Sequence, residues 1–415
     1  MFKTAPFFLL FVMVFIPGCQ NSGNGSLTPD IRADEIQLHI EWLADEARSG
    51  RLAGSPSEAE AANYIADHFR SFALEPAGDD GTWFQPFVLS GAMAQVMGKS
   101  DHLSRNVVGM VRGTAEPARI ILIGAHYDSQ GMGGFISMHQ NGEAIHHGAD
   151  DNASGVAALL ELAHYFAKNP PLRTVLFVAF SGEELGLLGS NWFSENPVVP
   201  IENIKAMINL DMIGRMEDDS FSVFGTGTAE RWPDIVRMAN ADSLTINKVE
   251  APGSASDHAP FNRKMIPVLH YFTGTHDDYH RPGDTPDKIN AEGTELITRH
   301  VKRVVMQLDT LQTGMLSFIS TQESPQTTMR RNGVSMGVIP DYTYGGTGFR
   351  IDGIRDGEPA QRAGLRSGDV IILMDEHAIT DIYSYMEALN TYNPGDTAVI
   401  SVRRSGETLR LNLQF

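Results

Sequence analysis

The run Val175-Leu176-Phe177-Val178-Ala179-Phe180 ends, after Ser181-Gly182, in two adjacent carboxylates, Glu183 and Glu184. A short apolar, β-branched-rich run of this kind fits a strand buried on both faces, as in a parallel sheet. In open α/β sheets, ligands bind just past the carboxyl ends of such strands. Two neighbouring glutamates there cannot point the same way, so one can hold a metal while the other moves a proton. The competing explanation is an exposed acidic pair at a helix start, where the helix dipole favours it. The rest of the chain weighs against that explanation.

Strands and helices alternate around this run. Asn106 to Val111, Ile120 to Ile123, Ile204 to Leu210, Phe221 to Phe224 and Pro267 to Phe272 read as strands. Helical spacing marks Ile31 to Arg48, Val156 to Lys168 and about Ala291 to Leu311, and another helix is expected to run through Phe193. A further helix is expected from Ser57, its cap in capping-box spacing with Glu60, to about Phe72. Alternation of this kind predicts a doubly wound α/β domain. His126, Glu183, Glu184 and Asp211 each follow a predicted strand, so parallel pairing would gather them at one sheet edge.

Metal ligands must then be nitrogen or oxygen donors, because Cys19 is the only cysteine. It permits neither an intrachain disulfide nor a thiolate zinc site. The candidates are His126, Asp151, Glu184, Asp211 and His280. A carboxylate can bridge two metals with its two oxygens. Asp151, at a helix entry, is the natural bridge, with Asp150 one position away as the competing choice. His126 and Asp211 would complete one site, and Glu184 and His280 the other. Glu183 is left free as general base, and Asp128 is placed to accept the second imidazole N–H of His126. His139, His146, His147 and His276 read as solvated loop residues, His147 being the one nearest the bridge.

Five segments then occur in order: His126-Tyr127-Asp128, Ala149 to Gly155, Gly182 to Gly186, Asn209 to Gly214, and Tyr279-His280 with Asp284-Thr285. Over roughly Ile31 to Leu311 the chain resembles the secreted di-zinc aminopeptidases of the zinc exopeptidase superfamily. The resemblance implies a mixed β-sheet sandwiched by helices, two zinc ions held by the five ligands above, and Glu183 as general base. It also implies a cis peptide between Asp151 and Asn152, Tyr279 as donor to the developing oxyanion, and a substrate-cleft segment containing Asp257, His258 and Phe261. Within the superfamily, a one-zinc glutaminyl cyclase or a carboxypeptidase is the alternative. A catalytically silent, PDZ-bearing binding protein is the alternative from another class.

The remaining segments bound the organisation. The chain has 415 residues, 42% hydrophobic, enough for two or three domains with a sizeable core. The formal charge of −19 argues against a nucleic-acid or anionic-membrane face. Residues 1–18, with Lys3 and the apolar run Pro6 to Ile16, fit a signal peptide. Ile16-Pro17-Gly18-Cys19 resembles the lipobox of bacterial lipoproteins. Export across a bacterial inner membrane, and a lipid on Cys19 anchoring the chain in the cell envelope, facing periplasm or exterior, follow as expectations. Residues 19–30 read as a flexible tether, 31–312 as the peptidase domain and 313–332 as a linker. Residues 333–415 form a small α+β domain. Gly345 to Phe349 and the stretch Pro359 to Ile371 resemble a PDZ domain of the bacterial type. Gly346, Thr347, Gly348 and Phe349 are its expected carboxylate-binding loop, taking a peptide C-terminus by β-augmentation.

Overall fold

The computed structural model describes residues 30–139, 142–253, 256–311, 316–321, 334–341, 344, 346–380, 382–389 and 391–415. The expected signal peptide, nearly all of the tether including Cys19, and most of the linker lie outside the described residues.

Helices α1 (Ala33–Leu43) and α2 (Pro56–Ser71) open the larger domain, followed by strands β1 (Glu75–Pro76) and β2 (Phe84–Val88). A short helix α3 (Ala92–Val96) leads into β3 (Leu103–Val111) and β4 (Glu116–His126). Then come α4 (Gly155–Lys168), β5 (Arg173–Phe180), α5 (Leu188–Glu195), β6 (Ile204–Leu210) and β7 (Ser220–Phe224). The domain closes with α6 (Trp232–Ala239), β8 (Thr245–Val249), α7 (His258–Arg263), β9 (Val268–Phe272) and α8 (Ala291–Thr310).

The strands form one sheet in the order β1-β3-β5-β4-β6-β9-β7-β8, with β2 beside β3. Its centre, β5-β4-β6-β9, is parallel throughout, and β3 and β7 run antiparallel to it. The sheet is therefore mixed, and its parallel centre puts the carboxyl ends of four strands along one edge. Alternation on β5 separates two apolar layers. Val175, Phe177 and Ala179 join the core under α1, α2, α4 and α8, while Leu176, Val178 and Phe180 face Phe193 of α5 and Phe261 of α7. Every residue of β5 is buried.

Two local differences from the sequence expectations have simple causes. The cap of α2 is Ser55, whose Oγ accepts from the Glu58 N–H at 3.1 Å, two residues earlier than expected. Pro56, with no N–H to satisfy, occupies the first helical position. Strand β8 gives no apolar alternation in sequence because it is the exposed sheet edge.

The C-terminal domain contains β10 (Val338–Pro340), β11 (Phe349–Ile354), helix α9 (Pro359–Arg362), β12 (Val370–Met374), β13 (His377–Ala378), helix α10 (Ile382–Leu389), β14 (Thr397–Arg404) and β15 (Glu407–Gln414). Its core includes Met336, Ile351, Ile371, Ile400 and Val402. The expected carboxylate-binding loop is corrected here. Strand β11, which follows Gly346-Thr347-Gly348, is hydrogen-bonded on both sides, to β10 and to β12. The Gly348 N–H donates to the Thr380 carbonyl at 2.9 Å, and Phe349 stacks on Tyr385 at 4.1 Å in the core. Neither a free edge nor that amide is left for a ligand. The outer strands of this sheet are β10 and β15.

One buried acid sets a pH dependence. Glu161 of α4 is 1% exposed, and Glu35 lies close enough to repel it. Burial first, then the Glu35 charge, pushes its carboxyl up to about 8 from 4.5. Between those values the folded chain binds one more proton than the unfolded chain, so stability falls as pH rises through that window. Glu161→Gln removes the loss. Its melting temperature should exceed that of wild type by more at pH 8.5 than at pH 5.5, and equal differences at the two pH values would refute the assignment.

Candidate metal centre

The segment before α4 is shaped by its own small and polar side chains. Asn152 Nδ2 donates to the Leu210 carbonyl at 2.9 Å, and Asn152 Oδ1 accepts from the N–H groups of Met212 and Gly155 at 3.1 and 3.0 Å. Ser154 Oγ accepts from the Ile213 N–H at 3.1 Å. A Cβ on Gly155 would lie 2.4 Å from the Leu210 carbonyl oxygen, so only glycine allows this approach. The wide helical turn Ala149–Ser154 is thereby fastened to the end of β6, and the Asp151–Asn152 peptide is cis.

Asp284 fastens the other side. Its carboxylate accepts from the N–H groups of Asp150 at 2.9 Å and Asp151 at 3.0 Å, and Arg215 reaches it at 3.3 Å. Asp150 is turned away from the centre: its Oδ1 accepts from the Gly214 N–H at 2.6 Å and its Oδ2 lies 3.2 Å from His276 Nε2. Asp151 is thus the carboxylate left to face the strand ends.

Asp151 stands between two histidines. Its Oδ1 lies 3.3 Å from His126 Nε2, and its Oδ2 lies 3.2 Å from His280 Nε2. His126 Nε2 is also 3.3 Å from Asp211 Oδ1, and His280 Nε2 is 3.6 Å from Glu184 Oε2. Two groups of three potential ligand atoms result, His126-Asp151-Asp211 and Asp151-Glu184-His280, sharing Asp151. Each group carries two carboxylates and one imidazole, a donor set suited to a divalent cation such as zinc.

The electrostatics fit that occupant. Burial pushes the Glu184 carboxyl up to about 8, with the Asp151 charge adding to it. Burial likewise pushes Glu183 well above the usual carboxylate range, with Asp211, Asp257 and Glu184 contributing. Burial opposes ionisation of Asp151 too, yet His126 and His280 hold it below the usual range. Glu184 Oε1 is buried without a hydrogen-bond partner among the described residues, while its Oε2 accepts from Gln130 Nε2 at 3.1 Å. Acidic groups packed this closely call for positive charge among them.

Glu183 is positioned through its backbone, because its N–H donates to Asp128 Oδ1 at 3.2 Å. Asp128 differs from its expected role. The group nearest His126 Nδ1 is the Asp128 backbone carbonyl at 3.2 Å, and the carboxylate stands at 3.8 Å. Tyr279 stacks on His280 at 3.8 Å and shares with Glu183, Glu184, Asp211 and His280 the lining of a cavity of about 320 Å³. A second, more apolar cavity of about 60 Å³ adjoins it, lined by Met212, Phe224, His258, His270 and Phe272. His258, itself buried, lines this second cavity. Asp257 is fully buried, and Phe261 is a core residue between Phe180 and Phe193, not a cleft residue.

Two of the supposedly solvated histidines are structural. His146 is 2% exposed, with Nε2 2.6 Å from Ser137 Oγ, and His276 pairs with Asp150. His147 is not among the candidate ligand groups; its Nδ1 lies 2.9 Å from the Ala44 carbonyl. Sequence reasoning missed Arg51 altogether. It is fully buried and donates to the carbonyls of Leu43, Tyr127, His147 and Gly148, fixing the end of β4 against the loop that precedes Asp151. Nothing in its sequence neighbourhood signals that role. Asp284→Ala frees the two amides that aim Asp151. It should lower metal affinity by about 10–100-fold, the usual cost of losing a group that orients ligands, read by metal titration with folding followed by circular dichroism. Wild-type affinity would refute the role.

Residues 106–305 match the sequence profile of peptidase family M28, and residues 326–415 match that of the PDZ domain. A "Probable zinc metalloprotease" of Pyrenophora teres f. teres is 44% identical over 108 residues, 26% of this chain and 22% of the relative. A protein of the same description from Pyrenophora tritici-repentis is 31% identical over 198 residues, 47% of this chain and 39% of the relative. The matched part thus spans well under half the length of these curated relatives. Among solved structures, a Zn-dependent exopeptidase from Parabacteroides distasonis has a TM-score of 0.56 at 19% identity, covering 68% of this chain and 99% of that one. The zinc aminopeptidase from Bacillus subtilis has a TM-score of 0.53 at 17% identity, covering 68% and 96%. These similarities are of fold. The chain carries a domain of the zinc peptidase family M28 joined to a C-terminal PDZ domain.

Proposed function

We propose that the chain is a zinc-dependent aminopeptidase that removes N-terminal residues from peptides at a two-metal centre. The observation that carries this is the position of Asp151 between His126 and His280, one carboxylate oxygen towards each. Of the two candidate zinc sites, one would be held by His126, Asp151 and Asp211, the other by Asp151, Glu184 and His280. All five ligands being present favours two zinc ions over one, and hence a peptidase over a one-zinc cyclase. Bound zinc ions would polarise the scissile carbonyl and lower the pKa of a water.

The chain's own residues supply the rest. Glu183, held by the Asp128 carboxylate through its N–H, takes the proton of the attacking water and returns it to the leaving amine. Tyr279, at the wall of the same cavity, donates to the oxyanion that forms. The cavity of Met212, Phe224 and Phe272 receives an apolar N-terminal side chain. The outer edge of β10 offers the PDZ domain a strand-addition site for a peptide C-terminus.

Export and a lipid on Cys19 complete the proposal, on the strength of Lys3, the apolar run to Ile16 and the lipobox-like Ile16 to Cys19. Among the described residues no helix is long and apolar enough to cross a membrane.

Hydrolysis of aminoacyl-nitroanilides and their N-acetylated forms, before and after chelation and zinc add-back, tests the activity. Zinc-dependent cleavage of only the free-amine substrates is expected; cleavage of the acetylated forms at equal rates would refute it. Glu183→Ala should bind the same number of zinc ions yet lose about 10²–10⁴-fold in kcat, the usual contribution of a general base. Turnover like that of wild type in the zinc-loaded variant would exclude Glu183.

A further inference from the structure

The PDZ domain is seated beside the metal centre. The residue after the ligand His280 makes the joint. Arg281 Nη1 donates to Asp356 Oδ2 at 2.7 Å and to the Met138 carbonyl at 3.2 Å, and Nη2 donates to the Ile354 carbonyl at 2.9 Å. The Met138 N–H donates back to the His280 carbonyl at 2.9 Å, and the Asp356 N–H donates to the Met138 carbonyl at 3.3 Å. Arg281 and Asp356 are each 25% exposed at the side chain, so the pair is largely shielded from water. Beside it, the Arg355 guanidinium lies 5.8 Å from the Phe135 ring centre. Three PDZ residues on and after β11 are thus held by two loops of the catalytic domain, one of which carries a ligand.

This seating leaves a cavity of about 260 Å³ between the domains. Thr275, His276 and Tyr279 line it from the catalytic side, and Asp352, Gly353 and Ser367 from the PDZ side. Tyr279 is a wall it shares with the cavity lined by Asp151, Glu183, Glu184, Asp211 and His280, and with the apolar cavity of Met212 and Phe272. Three spaces therefore meet at one side chain. If the apolar space takes the N-terminal side chain and the middle space holds the scissile bond, the third is where the chain beyond that bond can go.

Resting on the aminopeptidase function above, we propose that the space between the PDZ domain and the 275–281 loop is the subsite for the leaving part of the substrate. The enzyme is thereby a peptidase for peptides that extend beyond a dipeptide. The PDZ domain contributes one wall of the active-site mouth through Asp352, Gly353 and Ser367. Binding energy gathered there, away from the reacting atoms, can be used to lower the barrier, so a longer leaving segment raises turnover efficiency.

The test compares kcat/KM for an aminoacyl-nitroanilide with that for free-amine peptides of two, three, four and six residues sharing its N-terminal residue. It uses the zinc-loaded full chain, wild type, Ser367→Trp and Arg410→Trp. Ser367 is exposed in a turn and lines the cavity, so tryptophan there fills the space without entering a core. Arg410 is exposed on β15, at the opposite end of the PDZ sheet from β10, and serves as the control. In wild type and Arg410→Trp, kcat/KM should rise about tenfold from the dipeptide to the tetrapeptide. Ser367→Trp should abolish that rise and lower the ratio of tetrapeptide to nitroanilide efficiency by a similar factor. A flat length profile in wild type, with the nitroanilide cleaved, overturns the subsite and leaves the aminopeptidase standing. An undiminished rise in Ser367→Trp overturns it as well. Cleavage of neither the nitroanilide nor any peptide overturns both.

Discussion

The centre depends on one carboxylate, Asp151, being held between two imidazoles. Its oxygens face His126 at 3.3 Å and His280 at 3.2 Å, and everything around it serves to aim it. The Asp284 carboxylate grips the N–H groups of Asp150 and Asp151, and Asn152 and Ser154 bind the segment to the end of β6. The side chain itself is left with no role in that scaffold. A bridging ligand must present both oxygens in a fixed direction, so its backbone has to be fixed by other groups.

The sheet explains how distant residues reach that carboxylate. The parallel strands β4, β5 and β6 end at His126, Phe180 and Leu210, and three of the candidate ligands, His126, Glu184 and Asp211, sit on or just past those ends. Parallel strands buried on both faces are set deep in the core. Cost is concentrated at the rim instead. There, buried acids crowd together with their carboxyl groups displaced from the usual range, an arrangement favourable when cations lie among them. The strongly apolar sheet and the strongly acidic rim are therefore complementary parts of one structure.

The joint with the PDZ domain adds a second constraint on the same rim. Arg281 is adjacent in sequence to His280 and binds Asp356 and the Ile354 carbonyl of the PDZ domain. The loop that carries His280 is thus supported from two domains. The antiparallel PDZ sheet has β10 and β15 as its outer strands.

Much of this was legible in the chain itself. The buried parallel strand β5 shows as an unbroken apolar run from Val175 to Phe180, β6 was bounded at Ile204 to Leu210, and candidate donors that follow strand ends could be named from their position. What failed depended on partners remote in sequence. His146 and His276 look like loop histidines until Ser137 and Asp150 close on them, and Arg51 has no local pattern because its acceptors come from three separate segments. Phe261 carries an aromatic side chain suited equally to a cleft or a core, and only packing against Phe180 and Phe193 decides between them. Gly346 to Phe349 satisfied a turn pattern, but strand pairing on both sides of β11 removed the edge that pattern needed. Sequence alone determined which donors follow the strand ends, because donor type and spacing are local properties. Tertiary structure alone decided which carboxylate faces inward, which edge stays open and which domain borders the cleft, because those depend on contacts between segments far apart in the chain.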